Sequence, residues 1–98
     1  MPEVLDHAEV DAALGERGLG WERQGAELVK VVAHRDFADA LAYVSSVGAL
    51  AEAANHHPDI DIRWGTVTLR LSTHSAGGLT SADLALAGQI DGLPASGR

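Results

Sequence analysis

The stretch from Ile60 to Ser72 constrains this chain more tightly than any other part of it. Ile60, Ile62 and Trp64 alternate with Asp61 and Arg63, and Val67, Leu69 and Leu71 alternate with Thr66, Thr68, Arg70 and Ser72. Successive side chains on a strand point to opposite faces, so the pattern describes two strands with one apolar and one wet face. Gly65 lies between them at the bend. An isolated hairpin of this kind is barely stable in water, so its apolar face must find a cover elsewhere in the chain.

The remaining segments supply that cover. Trp21 to Arg23 and Leu28 to Val32 are short runs separated by Gln24-Gly25-Ala26-Glu27, which predicts a first hairpin with Val29 and Val31 opposing Leu28, Lys30 and Val32 across the pleat. Asp36 can cap a helix whose apolar residues, Phe37, Ala40, Leu41, Val44, Val47, Ala51 and Ala54, recur at spacings of three and four. That helix should stop near Asn55, because Pro58 biases the residue before it away from the α region. A short helix is expected from about Asp6 to Arg17 and a last one from about Ser81 to Asp91. Thr80 and Asp83 stand in capping-box relation ahead of the last helix, and Leu79 and Leu84 are placed for a hydrophobic staple across the same cap. The order is therefore α-β-β-α-β-β-α. It predicts an α+β fold in which two hairpins join into one four-stranded antiparallel sheet with helices packed on one face. At 98 residues a single domain spanning 1–98 is expected, with a frayed tail over 93–98.

Composition narrows the function classes. Seven Lys plus Arg against fourteen Asp plus Glu give a formal charge of −7, with Lys30 the one lysine and the arginines scattered. That balance repels phosphate backbones and anionic lipid, so neither nucleic acid nor a membrane surface is an expected partner. The absence of cysteine removes disulfides, thiolate nucleophiles and cysteine-based metal sites. The acidic start, Met1-Pro2-Glu3, and the lack of a long apolar run give neither a signal peptide nor a membrane span, so the cytoplasm is the expected location.

Three histidines cluster by topology. His56 and His57 fall where the long helix turns into the third strand, and His74 where the fourth strand ends. In an antiparallel hairpin the start of one strand lies beside the end of the other, so His74 belongs at the same sheet end as the His56-His57 pair. Three imidazoles there can serve acid/base catalysis, can bind a metal ion, or can merely satisfy loop hydrogen bonds. Pro58 holds His57 extended, which turns the adjacent rings apart and makes a two-ring clamp on one ion less natural. Asp83 reads first as a helix cap. Glu52 can pair with a ring nitrogen or face solvent. His7 reads as a surface residue, His34 as part of the link into the long helix, and Trp21 as core or interface packing.

These residues form a pattern. Glu52-x-x-Asn55-His56-His57-Pro58-Asp59, Trp64-x-x-Val67, Thr73-His74 and Gly78-Leu79-Thr80-x-x-Asp83 together resemble the signature of the pterin-4a-carbinolamine dehydratase family. The upstream segment from Gly20-Trp21 to Arg35-Asp36-Phe37 is similar too, and the likeness runs from about Leu14 to Asp91. It implies a lyase that dehydrates 4a-hydroxytetrahydropterin to quinonoid dihydropterin during recycling of the tetrahydropterin cofactor. His56, His57 and His74 match the family's catalytic histidines, and Glu52, Pro58 and Asp83 match residues that support or shape its pocket. The resemblance also implies dimers or tetramers formed through sheet edges and helices. No redox change occurs in such a dehydration, so no cofactor is expected, and the divergent histidines argue for a reaction without metal. The alternative is a non-catalytic scaffold of the same fold, acting as an assembly factor or a transcription coactivator. Two positions depart from the pattern: Ile60 where an aromatic is frequent and Trp64 where a tyrosine is common.

Overall fold

A computed structural model describes residues 3–94 of the chain. The elements run α1 (His7–Glu16), β1 (Glu22–Gln24), β2 (Glu27–Ala33), α2 (Phe37–Ala54), β3 (Asp59–Arg63), β4 (Thr66–Leu71) and α3 (Ser81–Asp91). The two hairpins merge through their second strands, giving the antiparallel order β1-β2-β4-β3. Leu28 lies opposite Leu71 and Val32 opposite Val67 across the central pair. This register gathers Leu28, Val32, Val67, Leu69 and Leu71 beneath the helices, where Val10 of α1, Ala40, Tyr43 and Val47 of α2, and Leu84, Leu86, Ala87 and Ile90 of α3 complete the core. Asp61 and Arg63 of β3 pair with Thr68 and Thr66 of β4 on the opposite, polar face. Among the described residues no helix is long and apolar enough to cross a membrane.

Each helix begins on a built cap. In α1 the Asp6 carboxylate accepts from the Glu9 N–H at 2.8 Å, and Glu9 Oε1 accepts from the Asp6 N–H at 3.0 Å. The Arg23 guanidinium donates to both Asp11 oxygens, at 2.7 and 3.1 Å, tying α1 to β1. That hydrogen-bonded cation holds the Asp11 carboxyl below the usual carboxylate range. At α3, Thr80 and Asp83 form the expected capping box, and Leu79 and Leu84 are both buried. Such caps contribute about 1 kcal/mol each, which matters in so short a chain.

Four local expectations change. The inner face of α2 is Ala40, Tyr43, Val47 and Ala51, while Phe37 and Leu41 stay exposed. Tyr43, which the expected stripe left out, is buried against the core to 1% exposure. Its hydroxyl makes no hydrogen bond among the described residues, and burial, with help from the nearby Asp91 carboxylate, pushes the phenol up to about 12. Trp64 leaves the strand pattern: β3 ends at Arg63, and Trp64 occupies the turn at φ 50°, 68% exposed. Beside it Gly65 is required, because a Cβ there would stand 2.8 Å from the His34 carbonyl oxygen. In the first hairpin, strand pairing runs from Glu22 to Gln24, and Trp21 instead sits under α3, its indole N–H shared between the Ala87 carbonyl and Asp91. Lys30 falls on the core side of β2, and its ammonium reaches the Asp91 carboxylate at 2.8 Å. Finally, Leu93 packs against the core, and 95–98, the rest of the expected tail, lie outside the described residues.

Candidate active site

The end of α2 aims the histidine pair. Asn55 adopts the left-handed conformation (φ 50°, ψ 42°), which asparagine tolerates better than most side chains. The His56 N–H then bonds back to the Ala51 carbonyl and the Asn55 N–H to that of Glu52, the paired bonds that close a helix before the chain turns away. Pro58 follows, and β3 starts at Asp59.

His56 turns inward. Its Nε2 stands 2.6 Å from Oδ1 of Asp83, whose side chain is completely buried at the start of α3. The other Asp83 oxygen accepts from the Thr73 hydroxyl at 2.7 Å and from the Thr80 backbone N–H at 2.9 Å. An ionised carboxylate can only accept, so the partner at each of these three contacts must donate. Nε2 of His56 must therefore carry a proton, which in the neutral ring leaves the lone pair on Nδ1. Nδ1 makes no hydrogen bond among the described residues, so it is the ring atom free for chemistry.

His57 turns the other way. Its Nε2 lies 2.5 Å from Oε2 of Glu52, one turn back along α2, and both side chains are more than half exposed. Exposed pairs of this kind contribute roughly 0–1 kcal/mol, so Glu52 orients the ring rather than locking it. The divergence expected around Pro58 is thus present, with each ring assigned to its own carboxylate. Among the described residues no three His, Asp or Glu side chains converge closely enough to share a metal ion.

His74 opens a tight loop over 74–77. Thr73 and Gly78 close that loop through an isolated antiparallel bridge, with the Thr73 N–H on the Gly78 carbonyl at 3.0 Å. The His74 side chain is exposed and has no hydrogen-bond partner among the described residues. The loop lies at the His56 end of the sheet, because Thr73, next to His74 in the chain, bonds the same carboxylate as His56. His34 is elsewhere: it is buried against Tyr43, ring centroids 4.7 Å apart, where β2 passes into α2.

Two features went unread in the sequence. Asp83 is both the cap and the partner of His56, one oxygen serving each role. The clue was the aspartate in place of the usual Glu of a capping box, a short side chain held close to the helix start. The hydroxyls of Thr73 and Thr80 had no comparable signal, because their partnership depends on two loops meeting in space.

Known proteins resemble this chain over most of its length. The family model described as pterin 4 alpha carbinolamine dehydratase matches residues 3–93. A relative from Roseiflexus castenholzii, provisionally named a pterin-4-alpha-carbinolamine dehydratase, is 55% identical over 91 residues, covering 93% of this chain and 97% of its own. One from Nocardia farcinica with the same provisional name is 50% identical over 91 residues, covering 93% and 95%. Among solved structures, a transcriptional coactivator/pterin dehydratase from Brucella melitensis superposes with a TM-score of 0.82 at 27% identity, over 91% of this chain and 96% of that one. A pterin dehydratase-like protein identified as a RuBisCO assembly factor in the alpha-carboxysome gives 0.66 at 28% identity, over 82% and 95%. The chain belongs to the pterin-4a-carbinolamine dehydratase family.

Proposed function

We propose that this protein is a dehydratase that converts 4a-hydroxytetrahydropterin to quinonoid dihydropterin and water in the recycling of a tetrahydropterin cofactor. The observation that carries the reading is the 2.6 Å pairing of His56 with the buried Asp83, which leaves Nδ1 as a fixed proton acceptor. In the reaction the C4a–O bond breaks, N5 loses its proton, and the C4a–N5 double bond forms. His56 Nδ1 takes the N5 proton, and the imidazolium so formed is stabilised by the Asp83 carboxylate behind it. Hydroxide leaves poorly, so a protonated His74 donates to the departing oxygen, and water is released. His57, exposed and oriented by Glu52, binds the pterin, and Pro58 shapes the wall beside it. No electrons are gained or lost, so the proposed reaction uses no cofactor, and the rings of His56 and His57, each paired with its own carboxylate, support a reaction without metal.

The proposed setting is a cytoplasmic homo-oligomer acting on a small pterin, without nucleic acid or membrane. A second reading, a binding or assembly scaffold, is favoured by the exposed apolar residues Phe37 and Leu41 on α2 and by the coactivator and assembly-factor descriptions of the two structural neighbours.

Enzymatically generated 4a-hydroxytetrahydropterin, supplied with and without a chelator, separates these readings. Wild type should accelerate dehydration equally in both conditions. His56→Ala and His74→Ala should each lower kcat by roughly 10²-fold. Near wild-type kcat in the double variant with an unchanged melt, or loss of activity on chelation restored by zinc, would overturn the mechanism.

A further inference from the structure

The direction of every proton around Asp83 can be worked out. A carboxylate only accepts, so the Thr73 hydroxyl spends its single proton on Asp83 Oδ2 at 2.7 Å. The contact between the Thr73 and Thr80 hydroxyls, 2.8 Å, must then run from Thr80 to Thr73. Thr80 Oγ1 in turn accepts from the Ala82 N–H at 3.2 Å. The result is a one-way chain from the start of α3 through Thr80 and Thr73 to Asp83, and Thr73, Thr80 and Asp83 are all buried. The donor from His56 completes it on the other oxygen.

Thr73 stands at the junction of two site segments. Its hydroxyl fixes the Asp83 carboxylate that sets the His56 tautomer. Its backbone N–H and C=O close the loop that begins at His74, with the Ala76 N–H on the Thr73 carbonyl at 2.9 Å. Buried hydrogen-bond chains of this sort specify one arrangement, because each member left unpaired is costly.

We infer that Thr73 is a positioning residue of the active site, whose hydroxyl holds Asp83 in the orientation that keeps the His56 lone pair on Nδ1. The inference rests on the dehydratase reading for its kinetic consequence but not for its structural one. Without the hydroxyl, Asp83 Oδ2 keeps only the Thr80 N–H, the Thr80 proton loses its acceptor, and the carboxylate, left with that N–H and His56, is held less firmly against rotation. Rotation loosens the Nε2 contact and lets the other His56 tautomer form.

The test compares full-length wild type, Thr73→Val, which keeps the shape without the hydroxyl, and Thr73→Ser, which restores it. Two readouts are used: steady-state kinetics on 4a-hydroxytetrahydropterin and ¹⁵N NMR of the His56 ring. In wild type, Nε2 should appear protonated and Nδ1 unprotonated at a pH where the ring is neutral. Thr73→Val should show a mixture of tautomers and a kcat lower by roughly 10-fold, with KM changed less than about twofold, while Thr73→Ser returns both readouts to wild type. Thr73→Ala carries the same comparison if the valine variant does not fold. A role confined to stability would lower the melting temperature and leave the ring nitrogens and kcat unchanged; that outcome, or a serine variant as impaired as the valine one, overturns the inference. If wild type does not dehydrate the pterin at all, the functional reading fails, and the nitrogen spectra alone still decide whether Thr73 sets the tautomer.

Discussion

Exchanging Asp83 for asparagine probes the centre of the site with almost no change of shape. The amide has one oxygen where the carboxylate had two, and Oδ2 receives two donors, Thr73 Oγ1 and the Thr80 N–H, against one on Oδ1. The amide oxygen should therefore keep the Oδ2 position, and the amide nitrogen should face His56. A donor at that place can bond Nε2 only if Nε2 gives up its proton, so the neutral ring inverts to the Nδ1–H tautomer. Hydrogen bonds to a charged group contribute about 1.5–3 kcal/mol and neutral ones about 0.5–1.5 kcal/mol. Three weakened bonds thus cost on the order of 3 kcal/mol, partly offset because a neutral amide is cheaper to bury than an ion. A net loss of about 1–3 kcal/mol lowers Tm by roughly 5–15 °C in a chain of this size and leaves it folded at 25 °C. The kinetic loss should be larger, because the atom proposed to accept the N5 proton now carries one. A fall in kcat of roughly 10²–10⁴-fold is expected, with a smaller change in KM. The assay is dehydration of enzymatically generated 4a-hydroxytetrahydropterin beside a thermal melt and ¹⁵N spectra of His56. A folded Asp83→Asn protein with wild-type kcat would refute the assignment of His56 Nδ1 as the base. Lost activity with an unaltered tautomer would refute the orientation argument behind it.

Four other outcomes are expected. His57→Ala should raise KM more than it lowers kcat, since an exposed ring paired with Glu52 supplies binding common to ground and transition states; equal losses in kcat and kcat/KM would reassign it to proton transfer. Tyr43→Phe should be neutral or stabilising by about 1 kcal/mol in chemical denaturation, because it removes a buried hydroxyl that has no partner among the described residues. The same variant tests alkaline stability: the folded phenol keeps its proton up to about 12, whereas the unfolded one loses it near 10. Wild type should therefore hold this contribution below pH 10 and lose it as pH rises towards 12, and the variant should lack that decline; parallel curves would contradict it. Sedimentation at micromolar concentration should return a homo-oligomer, because Val31 is 63% exposed on β2, which outruns the three-residue β1, and Phe37 and Leu41 lie bare on α2; a monomer would refute this.

Local pattern determined a good deal of this protein without any structure. Strand alternation at 60–71, the glycine at 65 and the capping signals at Asp36 and Thr80 predicted the order of elements, because each acts over a few residues through backbone geometry. The antiparallel geometry of a hairpin then placed His56, His57 and His74 at one sheet end, and Pro58 turned the first two apart. Tertiary structure decided the rest. Periodicity marks the residues of α2 able to lie inside, but tertiary packing buried Tyr43 and left Phe37 and Leu41 exposed. Lys30, on the core side of β2, finds its partner in Asp91, far along the chain, within reach of its ammonium at 2.8 Å. The two oxygens of Asp83 were divided the same way: Oδ2 caps its own helix, a local bond that sequence can encode, while Oδ1 meets a histidine 27 residues earlier. A contact across that separation leaves no periodic trace, because it exists only once the core has brought α3 against the end of α2.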